Sequence, residues 1–339
     1  MMTEMPTNET LLENSELCTL ETCPVSMGMV QYLPILWCQI LFMAIFGAAI
    51  IPQLVFGIRY KTWTFMVAMI LGLIGEAVGY GGRIMLNKNP FKLDGFLMYL
   101  VPLTIAPAFF TAAIYLTLSR IVVAYGEKIS YFKPRTYTIT FITFDIVALI
   151  LQAAGGAMAS TAEPGDQDAT DLGVNIMIAG LAWQVISIGI FTVMGTYFYL
   201  RVRKATSTDF NHDFSALRST RYFKASLWGL SVALLVIFVR SVYRCLELRE
   251  GFDGHLANDE VTFMVLEAAM ITIAVILLSV FHPGVVWKGQ WNEAVWSSRG
   301  KGQHAYRKTL SMDSDVPLHK YKQVPEYIKP SSTMDEYSV

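Results

Sequence analysis

Basic residues are missing from the start of this chain: no lysine or arginine precedes Arg59. Without a basic stretch ahead of an apolar one, the first residues do not read as a cleavable signal peptide. The first apolar helix is therefore expected to serve as an uncleaved anchor. Charge is scarce throughout. Asp, Glu, Lys and Arg make up 16% of the 339 residues, against 54% hydrophobic. A water-soluble domain of this length carries more charge on its surface. Four cysteines without partner histidines make no zinc site. No Gly-x-x-x-x-Gly-Lys-Ser/Thr loop occurs, which argues against ATP hydrolysis by this chain alone. No metal set or nucleophile–base pair stands out, so the chain is not expected to be an enzyme or to hold a cofactor. No nucleic-acid partner is expected.

What the chain does have is seven long apolar stretches, at about 33–57, 63–86, 96–124, 136–160, 172–200, 222–246 and 260–281. Each suffices to cross a hydrocarbon layer, which takes about 20 helical residues. The expected fold class is all-α, a polytopic membrane protein with seven transmembrane helices. Bases concentrate in alternate loops: Arg59 and Lys61, then Lys128, Lys133 and Arg135, then Arg201, Arg203, Lys204, Arg218 and Arg221, although the intervening loop 87–95 also holds Lys88 and Lys92. Acids dominate the tail before the first helix and the loops near 161–171 and 247–259. The positive-inside rule then predicts an outer N-terminus and a cytoplasmic C-terminus.

The expected organisation is an extracellular tail over 1–32, a membrane domain over 33–282 and a cytoplasmic tail over 283–339. Residues from about 297 are rich in Ser, Lys, Asp and Pro and lack the apolar content for a core. Trp287 and Trp291, four apart, suggest a segment at the headgroup level. Asn8-Glu9-Thr10 is a glycosylation sequon on the predicted outer face. Cys18 and Cys23 lie in the same tail, where a disulfide, free thiols and lipidated thiols are all chemically open.

Ionisable residues inside membrane helices are costly, so each is a functional candidate. Helix two carries Glu76 and Arg83, seven apart on one side, beside the small-residue face of Gly75 and Gly79. Helix three carries Arg120, with Pro102 and Pro107 expected to free backbone carbonyls. Helix four carries Asp145 and Gln152, and helix five Gln184. Helix six ends with Arg240, Arg244 and Glu247 on one face, and helix seven carries Glu267. Sorted by depth, these residues predict a large polar cluster in the outer half, around a space that an amphiphile can enter. A small inner cluster of Asp145 and Arg120 is expected too. Two readings stand for the charges: buried Arg–Glu pairs that fix helix register, or a site whose arginines grip phosphate or carboxylate groups. Gln53, Gln152 and Gln184 are expected to hydrogen-bond between helices.

Seven spans with an outer N-terminus also suggest a receptor. However, Ser119-Arg120-Ile121 stands where rhodopsin-like receptors carry Asp-Arg-Tyr, and no Asn-Pro-x-x-Tyr ends the seventh helix. That helix has no lysine for a retinal Schiff base. All five histidines lie in loops, at a helix end or in the tail, which excludes a seven-span zinc hydrolase.

Seven strings stand in order along the chain: Cys18-Thr-Leu-Glu-Thr-Cys23-Pro24; Glu76-Ala-Val-Gly-Tyr80-Gly-Gly-Arg83; Ala106-Pro-Ala-Phe-Phe-Thr-Ala-Ala-Ile-Tyr115 with Arg120; Phe144-Asp145 with Gln152-Ala-Ala-Gly-Gly156; Gly180-Leu-Ala-Trp-Gln184; Arg240-Ser-Val-Tyr-Arg244 with Glu247; and His282-Pro-Gly. Together they resemble the fungal RTA-like proteins, the lipid-translocating exporter family. The resemblance implies seven spans, an outer N-terminus and a plasma-membrane or vacuolar setting. It also implies handling of amphiphiles such as sphingoid long-chain bases, porphyrins or toxic lipophiles. The expected partners are membrane lipids or lipophilic small molecules, and the expected function is their export. A seven-helix lipid-binding receptor or stress sensor is the alternative.

Overall fold

The computed structural model describes residues 18–25, 28, 30–161, 167–251 and 254–294. Asn8, Glu163, Asp166 and the tail from 297 onward lie outside the described residues. Among those described, seven helical segments are long and apolar enough to cross a membrane, and no strand occurs. They are α1 (Leu36–Arg59), α2 (Trp63–Lys88), α3 (Leu93–Tyr125), α4 (Pro134–Thr161), α5 (Gln167–Lys204), α6 (Arg221–Glu250) and α7 (Glu260–Val286).

Large apolar side chains such as Trp37, Ile51, Val193, Trp228 and Val261 point outward. Water would not tolerate so continuous an apolar exterior, and hydrocarbon does. The chain is therefore a multi-pass membrane protein.

Consecutive helices pack side by side, and α7 returns to α1. Helix α3 is the axis, touching α2, α4, α5 and α6. Its seam with α2 is built on small residues. Gly72 faces Phe110, Gly75 faces Ala106, Gly79 faces Leu103, and Gly82 meets the backbone at Met98 and Tyr99. This spacing brings two helices closer than larger side chains allow. Helix α3 ends at Gly126, whose φ of +135° suits glycine and whose Cα sits against the Asp209 carbonyl.

The segment before α1 is tied across one end of the bundle. Cys18 and Cys23 form a disulfide that packs on Phe91 in the α2–α3 loop. The Pro34 carbonyl accepts from Asn87 Nδ2 at 2.7 Å, and the Ile35 N–H donates to Glu260 at 2.6 Å. We call this the disulfide end.

At the opposite end, Trp287 and Trp291 turn into the protein. Both indoles are buried in protein. His282 Nδ1 accepts from the Gly284 N–H at 3.0 Å, and Pro283 opens a turn that folds the chain back under the bundle. Trp287 then meets Phe214 and Phe223, and Trp291 meets Phe65. Aromatic partners were available inside the fold, so these rings did not need the interface.

Candidate functional site

Helices α2, α3, α6 and α7 bring Arg83, Arg240, Arg244, Glu247 and Glu267 together toward the disulfide end, with Glu76 beside them. Arg240 donates through one nitrogen to Glu267 and to the Leu103 carbonyl. Pro107 has no N–H for that carbonyl, so a guanidinium replaces the missing helical bond. The expectation that the prolines free a carbonyl is met at Leu103. The carbonyl holds an arginine and lines no open space.

One turn along α6, Arg244 donates to Glu247 at 2.6 Å and to Thr104 Oγ1 at 3.3 Å. Its Nε lies 3.9 Å from Glu267 Oε2. Glu267 thus stands between two guanidiniums. It sits in a π-helical stretch, Met264–Ala269. Such a stretch rotates the residues within it relative to an α-helix and recurs at functional sites.

Arg83 differs from the other two arginines. Among the described residues it makes no ion pair. It donates to Tyr32 Oη at 2.7 Å and to Gln39 Oε1 at 3.2 Å. Its guanidinium carbon lies 3.8 Å from the centre of the Phe263 ring and 5.1 Å from that of Tyr99. An aromatic box thus carries much of its stabilisation. Glu76 is fully buried, and neither of its oxygens has a hydrogen-bond partner.

The sequence placed Asp145 and Arg120 in one inner cluster, and the structure separates them. Asp145 accepts from Thr111 at 2.7 Å. Arg120 lies nine residues further along α3, donates to the Trp291 carbonyl, and has its guanidinium carbon 4.0 Å from the centre of the Trp291 ring. Helical rise puts about 13 Å between their levels. Gln152 and Gln184 join α4 to α5 at 3.0 Å, and Gln53 joins α1 to Ser279 at 2.9 Å, as expected of interhelical glutamines.

The predicted space among the outer charges is also corrected. Arg83, Arg240, Arg244 and Glu267 are sealed and fill their own volume. A cavity of about 440 Å³ lies instead between α3, α5 and α6, toward the end opposite the disulfide. Its walls include Leu118, Ile121, Phe191, Phe198, Leu227 and Leu234, and no residue of the charged group. Tyr32, Gln39, Tyr99, Thr104 and Phe263 belong to the site and were missed. Phe263 alone stood one helical turn from a charge, Glu267, and Tyr32, Gln39, Tyr99 and Thr104 had no such neighbour along the chain.

The profile of the family described as RTA1 like protein matches residues 69–290. The chain is 35% identical to a protein named sphingoid long-chain base transporter RSB1 from Saccharomyces cerevisiae strain Lalvin EC1118, over 68% of this chain and 67% of that one. The RSB1 protein of strain YJM789 is 33% identical over 76% and 72% of the two chains. Protoporphyrin uptake protein 1 of Saccharomyces cerevisiae strain S288c is 30% identical over 63% and 67%. No solved structure matches the chain. The stretch matched by the profile holds the arginines and acids described above, and the chain belongs to the RTA1-like family.

Proposed function

We propose that this chain moves amphiphilic lipids, sphingoid long-chain bases among them, across the membrane, and that it does so without chemical conversion. The observation carrying this reading is the stack of membrane-buried polar groups inside an apolar bundle. Glu247, Arg244, Arg240, Glu267 and Arg83 lie near one end, with Glu76 beside them, and Asp145, Gln152 and Gln184 lie on α4 and α5. Holding helices together takes fewer charges than this. In this reading a headgroup engages these groups only as the helices part, while its chain stays in apolar surroundings. The names of the relatives support the same substrate class. The driving force in this reading is a gradient or facilitated exchange.

The proposed orientation puts the tail over 1–32 and Asn8 outside and the tail over 283–339 in the cytoplasm. The proposed location is the plasma membrane, with the vacuolar membrane as the alternative. A shift in gel mobility lost in Asn8→Gln would support an outer N-terminus. An unshifted wild type, with a sequon engineered into residues 297–339 being modified, would contradict it.

The sealing of the Arg–Glu pairs favours a second reading, a lipid-binding receptor or sensor that does not transport. Cells loaded with a fluorescent long-chain base separate the two. A transporter lacking residues 297–339 keeps releasing the label into the medium. A sensor that depends on tail partners loses the response.

A further inference from the structure

We propose that Asp145, Tyr115 and Ser187 form the receptor for a primary ammonium group whose alkyl chain occupies the cavity between α3, α5 and α6. This rests on the transport reading and assigns the place where the amphiphile is held.

Three buried oxygens on three different helices lack partners. Asp145 is only 3% exposed; Thr111 serves its Oδ2, and its Oδ1 has no donor. The Tyr115 hydroxyl stands close enough to Asp145, Thr111 and Ser187 to interact with each, and no well-aligned hydrogen bond joins it to any of them. Ser187 Oγ is unpartnered as well. Buried polar groups of this kind are normally satisfied, and leaving several open in one place is costly. An alkylammonium offers three donors and no acceptor. Three convergent acceptors, one a carboxylate, complement it. A phosphate or carboxylate would meet repulsion from Asp145 instead.

The same residues adjoin the cavity. Phe191 lines it and packs on Tyr115, with ring centres 4.4 Å apart. Ser187 lies one turn before Phe191 on α5, and cavity-lining Ile114 precedes Tyr115 on α3. The Tyr115–Phe191 ring pair thus stands between the polar cluster and the apolar space, and the ammonium group reaches the cluster when these rings turn aside. The lining runs along α3 from Ile114 to Tyr125. That stretch is about 16 Å of helix. The volume of about 440 Å³ falls within the range of small-molecule pockets. Lys224, the charged residue in the lining, is exposed near the Tyr125 end. A cation therefore belongs at the Asp145 end, with the chain trailing toward Lys224.

Binding of radiolabelled sphingosine to the purified full-length protein in detergent tests this, with N-acetylated and O-phosphorylated sphingosine as comparisons. Asp145→Asn keeps the Thr111 hydrogen bond and should weaken sphingosine binding by about tenfold or more. It should leave the N-acetylated compound unaffected. Gly195→Phe should weaken both, because Gly195 lines the cavity and a Cβ there meets nothing within 4 Å. If Asp145→Asn does not yield monodisperse protein, Tyr115→Phe combined with Ser187→Ala carries the test in the same direction. Unchanged sphingosine binding in a folded variant overturns the proposal. So does tighter binding of the phosphorylated compound that is lost in Lys224→Ala. Wild-type transport that persists undiminished in Asp145→Asn and Gly195→Phe overturns this site and leaves transport standing. Binding with the expected pattern but no wild-type transport does the reverse.

Discussion

Arg240 on α6 donates to the backbone carbonyl of Leu103 on α3, the carbonyl that Pro107 leaves without a helical donor. The same nitrogen reaches Glu267 on α7. One side chain thus joins three helices through a proline-made vacancy and a carboxylate. Removing it leaves a buried acid without its nearest cation. Arg240→Met should destabilise the protein by about 3–5 kcal/mol. The double variant Arg240→Met/Glu267→Met should recover much of that loss, because the ion pair is removed whole and Arg244 keeps Glu247. Thermal midpoints in detergent check this. Equal midpoints for wild type and Arg240→Met would show that the linkage carries no weight.

Neighbouring glycines on α2 should differ sharply. A Cβ on Gly82 would lie 2.4 Å from the Tyr99 backbone nitrogen and 2.6 Å from the Met98 carbonyl carbon, and backbone cannot rotate away. A Cβ on Gly81 meets only the flexible Met98 Cε, at 3.6 Å. Gly82→Ala should cost about 1–3 kcal/mol or prevent folding. Gly81→Ala should be neutral or slightly stabilising, since alanine is the better helix former. The yield of monodisperse protein and the melting midpoint separate the two.

Tyr32 lies in the segment before α1, and burial pushes its phenol up to about 12 despite the opposing charge and hydrogen bond of Arg83. The folded protein then keeps a proton that the unfolded chain releases near pH 10. Stability falls wherever the native state binds more protons, here as pH rises from 10 toward 12. The stability advantage of wild type over Tyr32→Phe should be constant below pH 10 and shrink above it. A constant difference across that window would contradict the burial of this phenol.

The turn after α7 belongs to the folded unit, as the pairing of Trp291 with Arg120 shows. Removing residues 297–339 should leave the melting midpoint unchanged. Trp291→Ala should lower stability by about 3–5 kcal/mol, the usual cost of emptying an indole site. A truncation that starts at 290 would remove Trp291 with the tail and would not report on the tail alone.

The sequence carried much of this fold, for a physical reason. Seven apolar spans cannot be hidden in a water-soluble chain, and charges such as Glu76, Arg240 and Glu267 stand out inside them. Glycine spacing on α2 marked the seam with α3. Partner choice was less legible. Arg83 is held by rings from three separate segments, and no pattern along one helix announces such a box. The π-helical stretch that turns Glu267 toward Arg240 has no composition signature. Trp287 and Trp291 have the look of interface residues, and only the turn at Pro283 shows where they go. The position of the cavity depends on how α3, α5 and α6 diverge, which single-helix periodicity does not encode.

The most direct test of the central claim is the rate at which a fluorescent sphingoid base crosses the bilayer of vesicles holding the purified full-length protein. The account predicts a rate that rises with the protein-to-lipid ratio and falls in Asp145→Asn. A rate equal to that of empty vesicles, from protein that is folded and inserted, would contradict it.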